Sequence, residues 1–273
     1  MTTWNKPISW SKFKLAIDCP KQLKYTIDRE PVAETRQNYY MELGTITQFV
    51  FEQIFNQGIN QKPGGDKLST YQKCTEIVFK SKWYAARQIT YPLGKSEDTL
   101  KEDVRAAVVR GWEIFTKLKL VNKPIRSEVK WTSTFRNMRL FALIDFVYEG
   151  SNSIYLFDGK GHAEKNADPR QLFFYALAVQ SSNKTVGGGG FIYWKHDYEK
   201  LDLSPASIKE FVDGEFVEGR KVMEQLVRGV ESLPAKPGKA CKFCNWKFVC
   251  PDSTELKPPA DHTLPDQVGF KSD

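Results

Sequence analysis

The feature that most restricts the fold is a change of hydrophobic period near the middle of the chain. Before it, apolar residues recur at helical spacing. GTITQFVFEQIF places Ile46, Phe49, Val50, Ile54 and Phe55 along one stripe of a half-buried helix. SWSKFKLAIDCPKQLKY reads as a short helix broken near Pro20, and TYQKCTEIVFKSKWYAAR and EDTLKEDVRAAVVRGWEIFTKL as two further amphipathic helices. EVKW, RLFALIDFVYE and SIYLFD are instead rich in β-branched and aromatic residues, with turn signals at Arg136-Asn137 and Gly150-Ser151-Asn152, so they read as strands. Asp168-Pro169 then offers an N-cap and a first-turn proline to the helix RQLFFYALAVQ. FIYW, after the glycines Gly187 to Gly190, is a further strand, and Ser204-Pro205 opens a long helix near residues 205–232. This order predicts an α/β fold, a mixed central β-sheet flanked by helices. Nothing divides residues 1–252, which are expected to form one domain, and residues 253–273, rich in Pro, Asp and Lys, read as a flexible tail.

Composition narrows the function classes. With 41% hydrophobic residues in 273, the chain can bury an ample core. No apolar run reaches the roughly 18 residues a membrane-spanning helix needs. The N-terminal MTTWNKPISWSKFK lacks the apolar core of a signal peptide, so the expected compartment is the cytoplasm. A net charge of +7 favours a polyanionic partner, though weakly. In a reducing compartment the five cysteines are ligands or buried thiols and not disulfides. Cys241, Cys244 and Cys250 stand as C-x2-C-x5-C in CKFCNWKFVCP, spacing that suits thiolates around one metal centre. A closed sulfur site takes four ligands, and spacing alone neither supplies the fourth nor tells zinc from iron. Cys74 lies inside an apolar helix and reads as a plain core thiol.

The acidic chemistry concentrates in the strands. Asp158 and Lys160 of FDGKGH lie two apart and share one face, and Asp145 ends the apolar run FALID on the preceding strand of a hairpin. Two such carboxylates can hold Mg²⁺ or Mn²⁺, and the metal polarises a phosphate and acidifies a bound water. Lys160 can orient that water and stabilise developing charge. Alone, D-x-K is weak, because solvated strand ends often carry it.

Taken in order, the motifs resemble the RecB-like branch of the PD-(D/E)XK nuclease superfamily, including its iron–sulfur members in CRISPR adaptation and the AddB subunit. SWSKFKLAIDCPKQLKY is similar to the family's N-terminal Cys-Pro segment, and GTITQFVFE to the helix that usually carries a metal-binding His. ALID and FDGK match the acidic strands and the lysine, QLFFY the Q-x-x-x-Y helix, and the cysteine array closes the match near Pro251. The resemblance implies a restriction-endonuclease-like core and Mg²⁺- or Mn²⁺-dependent hydrolysis of DNA, single- or double-stranded and exonucleolytic from its ends. It implies Asp145, Asp158 and the Gly159 carbonyl as metal ligands, and Gln171 and Tyr175 as supports for Lys160 or the scissile phosphate. It also implies Cys19 as the fourth ligand of an iron–sulfur cluster, of 4Fe-4S type, with Cys241, Cys244 and Cys250. That cluster would staple the N-terminal to the C-terminal segment, and a four-cysteine zinc site is the main alternative.

The chain departs from the family at Gln48, which stands where His is usual. An amide oxygen still suits Mg²⁺, but the change keeps open a second function: a non-cutting fold that grips DNA or a recombination or CRISPR partner. Glu52, one turn on, either adds a carboxylate or is an ordinary solvated glutamate. Glu128-Val129-Lys130 also spells E-x-K, without a strand carboxylate before it, and reads as structural. His162 can reach a phosphate but reads better as a surface residue, and His196 and His262 carry no pattern. Lys12, Lys14, Lys21 and Lys24, interleaved with Trp10 and Tyr25, are candidate contacts to phosphates and stacked bases.

Overall fold

The computed structural model describes residues 6–28, 37–62, 66–161, 165–247 and 250–254. A two-residue strand, β1 (Ile8–Ser9), leads into α1 (Trp10–Asp18), and α2 (Pro20–Asp28) follows after a break at Cys19. Cys19 is extended (φ −157°, ψ 91°), as the residue before a proline should be. Next come β2 (Gln37–Asn38), α3 (Tyr39–Asn56), α4 (Lys67–Phe79), α5 (Lys82–Ala85), β3 (Ile89–Thr90) and α6 (Glu97–Lys117). The single helix expected over TYQKCTEIVFKSKWYAAR is therefore two. The chain turns at Lys80 and Ser81, whose hydroxyl accepts the Tyr84 N–H at 3.2 Å and starts α5 afresh.

The strands β4 (Ile125–Phe135), β5 (Met138–Glu149) and β6 (Ile154–Lys160) precede α7 (Arg170–Gln180), β7 (Val186–Tyr193) and β8 (Tyr198–Leu201). Arg136 and Asn137, at φ 46° and 65°, are both left-handed, the conformation of a two-residue turn whose twist matches its strands. That turn sets the register, with Phe135 opposite Met138 and Ile125 opposite Tyr148. The glycine run lies inside β7 and not before it. A Cβ on Gly190 would fall 2.1 Å from the Glu199 carbonyl of β8, too close for any side chain. The long C-terminal helix is split into α8 (Pro205–Phe211) and α9 (Val217–Val227) by a π-helical turn at Val212–Phe216. This wider turn lets Phe211, Val212 and Phe216 all be buried. Asp168 stands one position before the N-cap, Pro169, and its carboxylate accepts the Arg170 N–H at 3.1 Å.

The main sheet is mixed. β4 lies antiparallel along one edge of β5, while the other edge is shared by β1, parallel beside Leu140 and Phe141, and β6, antiparallel beside Phe146–Glu149. β7 runs parallel to β6, and β8 antiparallel to β7. Successive residues of β6 and β7 enter different cores. Leu156, Phe191 and Tyr193 pack with α1, α7, α8 and α9, whereas Phe157, Ile192 and Trp194 pack with α3, α4 and α6. The sheet thus separates two apolar cores, and both cover it with helices.

One row breaks the alternation. Val129 and Ile144 face the first core, but Ile125 and Phe146, an even number of residues away on each strand, face the second. Between them, at register opposite each other, lie Glu128 and Asp145, and Glu128 has φ +51°. It is the one left-handed non-glycine residue inside a strand among the described residues. That local twist lets both strands exchange faces at the same row.

Candidate active site and cysteine pocket

The acidic residues sit where β5 and β6 part. Their last paired residues at this end are Phe146 and Phe157. One step on, the Asp145 carboxylate accepts the Gly159 N–H at 2.8 Å, so a side chain replaces the ladder partner and the strands splay. Asp158 is 2% exposed and faces α7. Its Oδ1 accepts from Gln171 Nε2 at 2.7 Å, and its Oδ2 lies 2.5 Å from Lys160 Nζ. Lys160 Nζ also donates to Gln171 Oε1 at 2.9 Å, and Gln171 Nε2 to the Tyr175 hydroxyl at 2.9 Å. Gln171 thus uses both ends of its amide to hold the lysine and the aspartate together, and Tyr175, four residues along the helix, backs it. Gly159 is required for a steric reason, because a Cβ there would lie 2.4 Å from the Trp194 ring.

On the opposite face α3 closes the site. Gly44 meets Gly161 so closely that a Cβ on Gly161 would lie 2.9 Å from the Gly44 Cα, and one turn along α3 the Gln48 amide donates through Nε2 to Glu128 Oε1. Glu128, in the E-x-K that reads from sequence as a structural strand, thus meets Gln48 of α3, while Lys130 is exposed. The reason is the exchange of faces at its row. Burial, then the neighbouring Asp158, pushes the Asp145 carboxyl well above the ordinary aspartate range. Burial likewise raises Glu128, with Asp158 adding to it, and Glu52, with Glu128 adding to it. Burial is also the first cause of the raised Tyr175 phenol, followed by Asp158. Carboxylates outnumber cations here, and a site of that kind favours an added positive charge.

The basic N-terminal cluster is not a free phosphate grip. Lys14 is bound to Asp18 and Asp168, Lys21 to Asp252 and Lys24 to Asp28, each within 2.9 Å, while Lys12 is exposed. Aspartates one helical turn away or across the fold claim these lysines first. Trp10 is 7% exposed and packs on Phe174, and Tyr25 packs on Trp246, so both rings are engaged within the fold. His196 lies in the exposed turn between β7 and β8, and Cys74 is a core thiol raised by burial. His162 and His262 lie outside the described residues.

Cys19, Cys241, Cys244 and Cys250 line one cavity together with Gln22, Tyr25, Lys236 and Trp246. Burial raises the Cys244 thiol, its neighbours Cys19, Cys241 and Cys250 add to this, and the Trp246 N–H donates to its sulfur at 3.4 Å. Among the described residues, no group of three or more His, Cys, Asp or Glu side chains is drawn together tightly enough to hold a metal ion. Nor is any described helix long and apolar enough to cross a membrane.

Comparison with known proteins gives one slight structural likeness and one family match. A solved structure described as "Crystal structure of SSO0001" is similar at 10% identity and a TM-score of 0.32, over 89% of this chain and 95% of the other. A likeness that slight carries no argument for fold or function. No curated protein matches. The family profile of the PD-(D/E)XK nuclease superfamily, in contrast, matches residues 7–251, almost every residue discussed above. The parted strands, the buried aspartates and the lysine thus stand in a chain that belongs to the PD-(D/E)XK nuclease superfamily.

Proposed function

We propose that this chain is a Mg²⁺- or Mn²⁺-dependent deoxyribonuclease of the RecB-like branch, acting as an exonuclease, with residues 1–252 as its nuclease domain. The observation that carries this reading is the cluster of Asp145, Asp158 and Lys160 around Gln171 at the splay of β5 and β6. Its donors suit a hard divalent ion, being two carboxylates, an amide oxygen from Gln48 and the Gly159 carbonyl. In an extended strand a residue's C=O leaves by the same edge as its N–H, and the Gly159 N–H faces Asp145. Such ions keep several waters and need only one or two carboxylates plus substrate oxygens, so no third acidic ligand is required. When bound, the ion would supply Lewis-acid polarisation of the phosphate and a more acidic water.

The chain's own residues do the rest. Asp158 and Asp145 fix the cation site against the strand ends. Lys160, held between Asp158 and Gln171, presents its ammonium beside the reacting phosphate, orients the attacking water and stabilises the charge that develops. Tyr175 and Gln171 keep that ammonium in place.

The four-cysteine cavity supports an iron–sulfur cluster, of 4Fe-4S type, joining Cys19 to Cys241, Cys244 and Cys250. The Trp246 N–H on Cys244 is of the kind that tunes such clusters.

The test uses anaerobically purified protein and end-labelled DNA, with and without Mn²⁺. Wild type should release nucleotides from an end only with metal. Asp158→Ala and Lys160→Ala should each lose at least about a hundredfold in rate while DNA affinity stays within a few fold. Equal activity in wild type and Asp158→Ala would refute the site. A wild type that binds DNA in a salt-sensitive way but never cuts would favour the non-catalytic reading instead.

A further inference from the structure

We propose that Glu128 is a positioning residue that holds the Gln48 amide with its oxygen, and not its nitrogen, turned toward the cation of the site; this rests on the nuclease reading above. The two ends of a glutamine amide are nearly the same size, but only one suits a metal. The oxygen is a hard donor, whereas the NH₂ end carries positive hydrogens that a cation repels. A glutamine in this position therefore needs something to choose its orientation.

Glu128 makes that choice. An ionised carboxylate can only accept hydrogen bonds, so the NH₂ of Gln48 must face it, as it does here, and the amide oxygen must point elsewhere. The placement is costly to achieve. Glu128 is the strand residue with φ +51°, a conformation side-chain-bearing residues avoid, and it stands in register opposite Asp145. The left-handed backbone is what brings this carboxylate to the α3 side of the sheet, where Gln48 is. Glu128 could instead be a third acidic ligand beside Asp145 and Asp158, and the titration below separates the two roles. The arrangement follows the general rule that a ligand's outer hydrogen-bond partner sets its orientation.

Mn²⁺ titration of the full chain followed by electron paramagnetic resonance tests this without any turnover, the relevant component being the one lost in Asp158→Ala. Glu128→Gln, which offers an NH₂ that can turn the amide round, should weaken that component about tenfold, close to the loss in Gln48→Ala. Glu128→Gly, which suits a left-handed φ and guards against misfolding, should do the same. In a Gln48→Ala background, Glu128→Gln should add no further loss. A further loss as large as in wild type would make Glu128 a ligand in its own right and overturn the positioning role. Unchanged affinity in Glu128→Gln and Glu128→Gly would overturn it too, while the nuclease reading stood. A wild type that binds no Mn²⁺ at the site would overturn both.

Discussion

The acidic site and the cysteine pocket are built in opposite ways. The acidic residues stand on long strands and a helix, and each is fixed by side-chain hydrogen bonds that cross the fold: Gly159 to Asp145, Gln171 to Asp158 and Lys160 to Gln171. Three of the pocket cysteines stand on a short 3₁₀ turn (Lys239–Phe243) and the residues after it, closed by local backbone bonds such as Cys244 N to Cys241 O and Cys250 N to Trp246 O, while Cys19 stands at the break between α1 and α2. The C-terminal segment is also tied to the N-terminal helices. The ties include the Lys21 N–H to Pro234 O, Lys236 Nζ to Ile17 O, the Lys21–Asp252 ion pair and the Tyr25–Trp246 contact. The lesson is that the acidic residues are held by side-chain bonds between distant strands and a helix, whereas the cysteines share a cavity edged by local backbone bonds.

The sharpest way to break that contrast is to remove a cysteine. Cys244→Ala should abolish the broad visible absorption of the proposed cluster and lower stability by about 3 kcal/mol or more, because that cluster would close a chain-length loop. Cys19→Ala should match it in both respects. Colourless wild-type protein with stoichiometric zinc would replace iron by zinc, and full iron content in Cys19→Ala would send the search for the fourth ligand elsewhere. Next in size, Gly159→Ala probes how rigid the acidic site is. The added methyl has Trp194 in its way, and the cost should be about 2 kcal/mol in denaturant unfolding with a large loss of cleavage. A neutral result would mean that the strand end yields more easily than the knit of hydrogen bonds implies.

Asp168 links the two regions, since it binds both Arg170 of α7 and Lys14 of the Cys19-bearing segment. Burial pushes its carboxyl up, but the bonds from Arg170 and Lys14 outweigh this and hold it at about 2. A folded-state value below the unfolded one means stability present above the unfolded value, about 4, and lost as pH falls through about 2. Asp168→Asn should therefore cost about 2 kcal/mol at neutral pH and flatten the stability profile across that acid window. An unchanged profile would remove Asp168 as the link. The smallest effect has the opposite sign. Asp145 is held in a buried place beside Asp158, so Asp145→Asn should raise the stability of metal-free protein by on the order of 1 kcal/mol while cleavage is lost. A fall in stability would mean that the carboxylate is needed to organise the splay.

Much of this was legible in the sequence, because local chemistry determined it. The turn signal Arg136-Asn137 is a left-handed two-residue turn, and the β-branched and aromatic residues of RLFALIDFVYE lie in β5. Gln171 and Tyr175 share a face through helical spacing alone, and the acidic pair with its lysine followed from strand geometry. Glu128 reads from sequence as part of a structural strand, and its contact with Gln48 was not foreseen, although counting back from that turn puts it opposite Asp145. The obstacle was that regular alternation gives no hint of strands exchanging faces, which depends on one backbone angle. The pairing of Lys14, Lys21 and Lys24 was hidden for a similar reason, since Asp168 and Asp252 lie far away in sequence. Breaks such as Lys80-Ser81 and the π turn in the last long helix depend on packing, which periodicity does not report.

The exchange of faces at Glu128 and Asp145 also bears on how the hairpin finds its pairing. In a regular hairpin a slip of two residues keeps every side chain on its proper face, so only turn geometry and fit oppose it. Here the two halves of each strand bury opposite faces, with Ile144 in one core and Phe146 in the other. Any slip, even by two, would carry the crossover row of β4 away from that of β5 and turn apolar side chains out of a core. The strained row therefore works as a registration mark. A hairpin that has buried both its cores has, by that fact alone, set Glu128 of β4 across from Asp145 of β5.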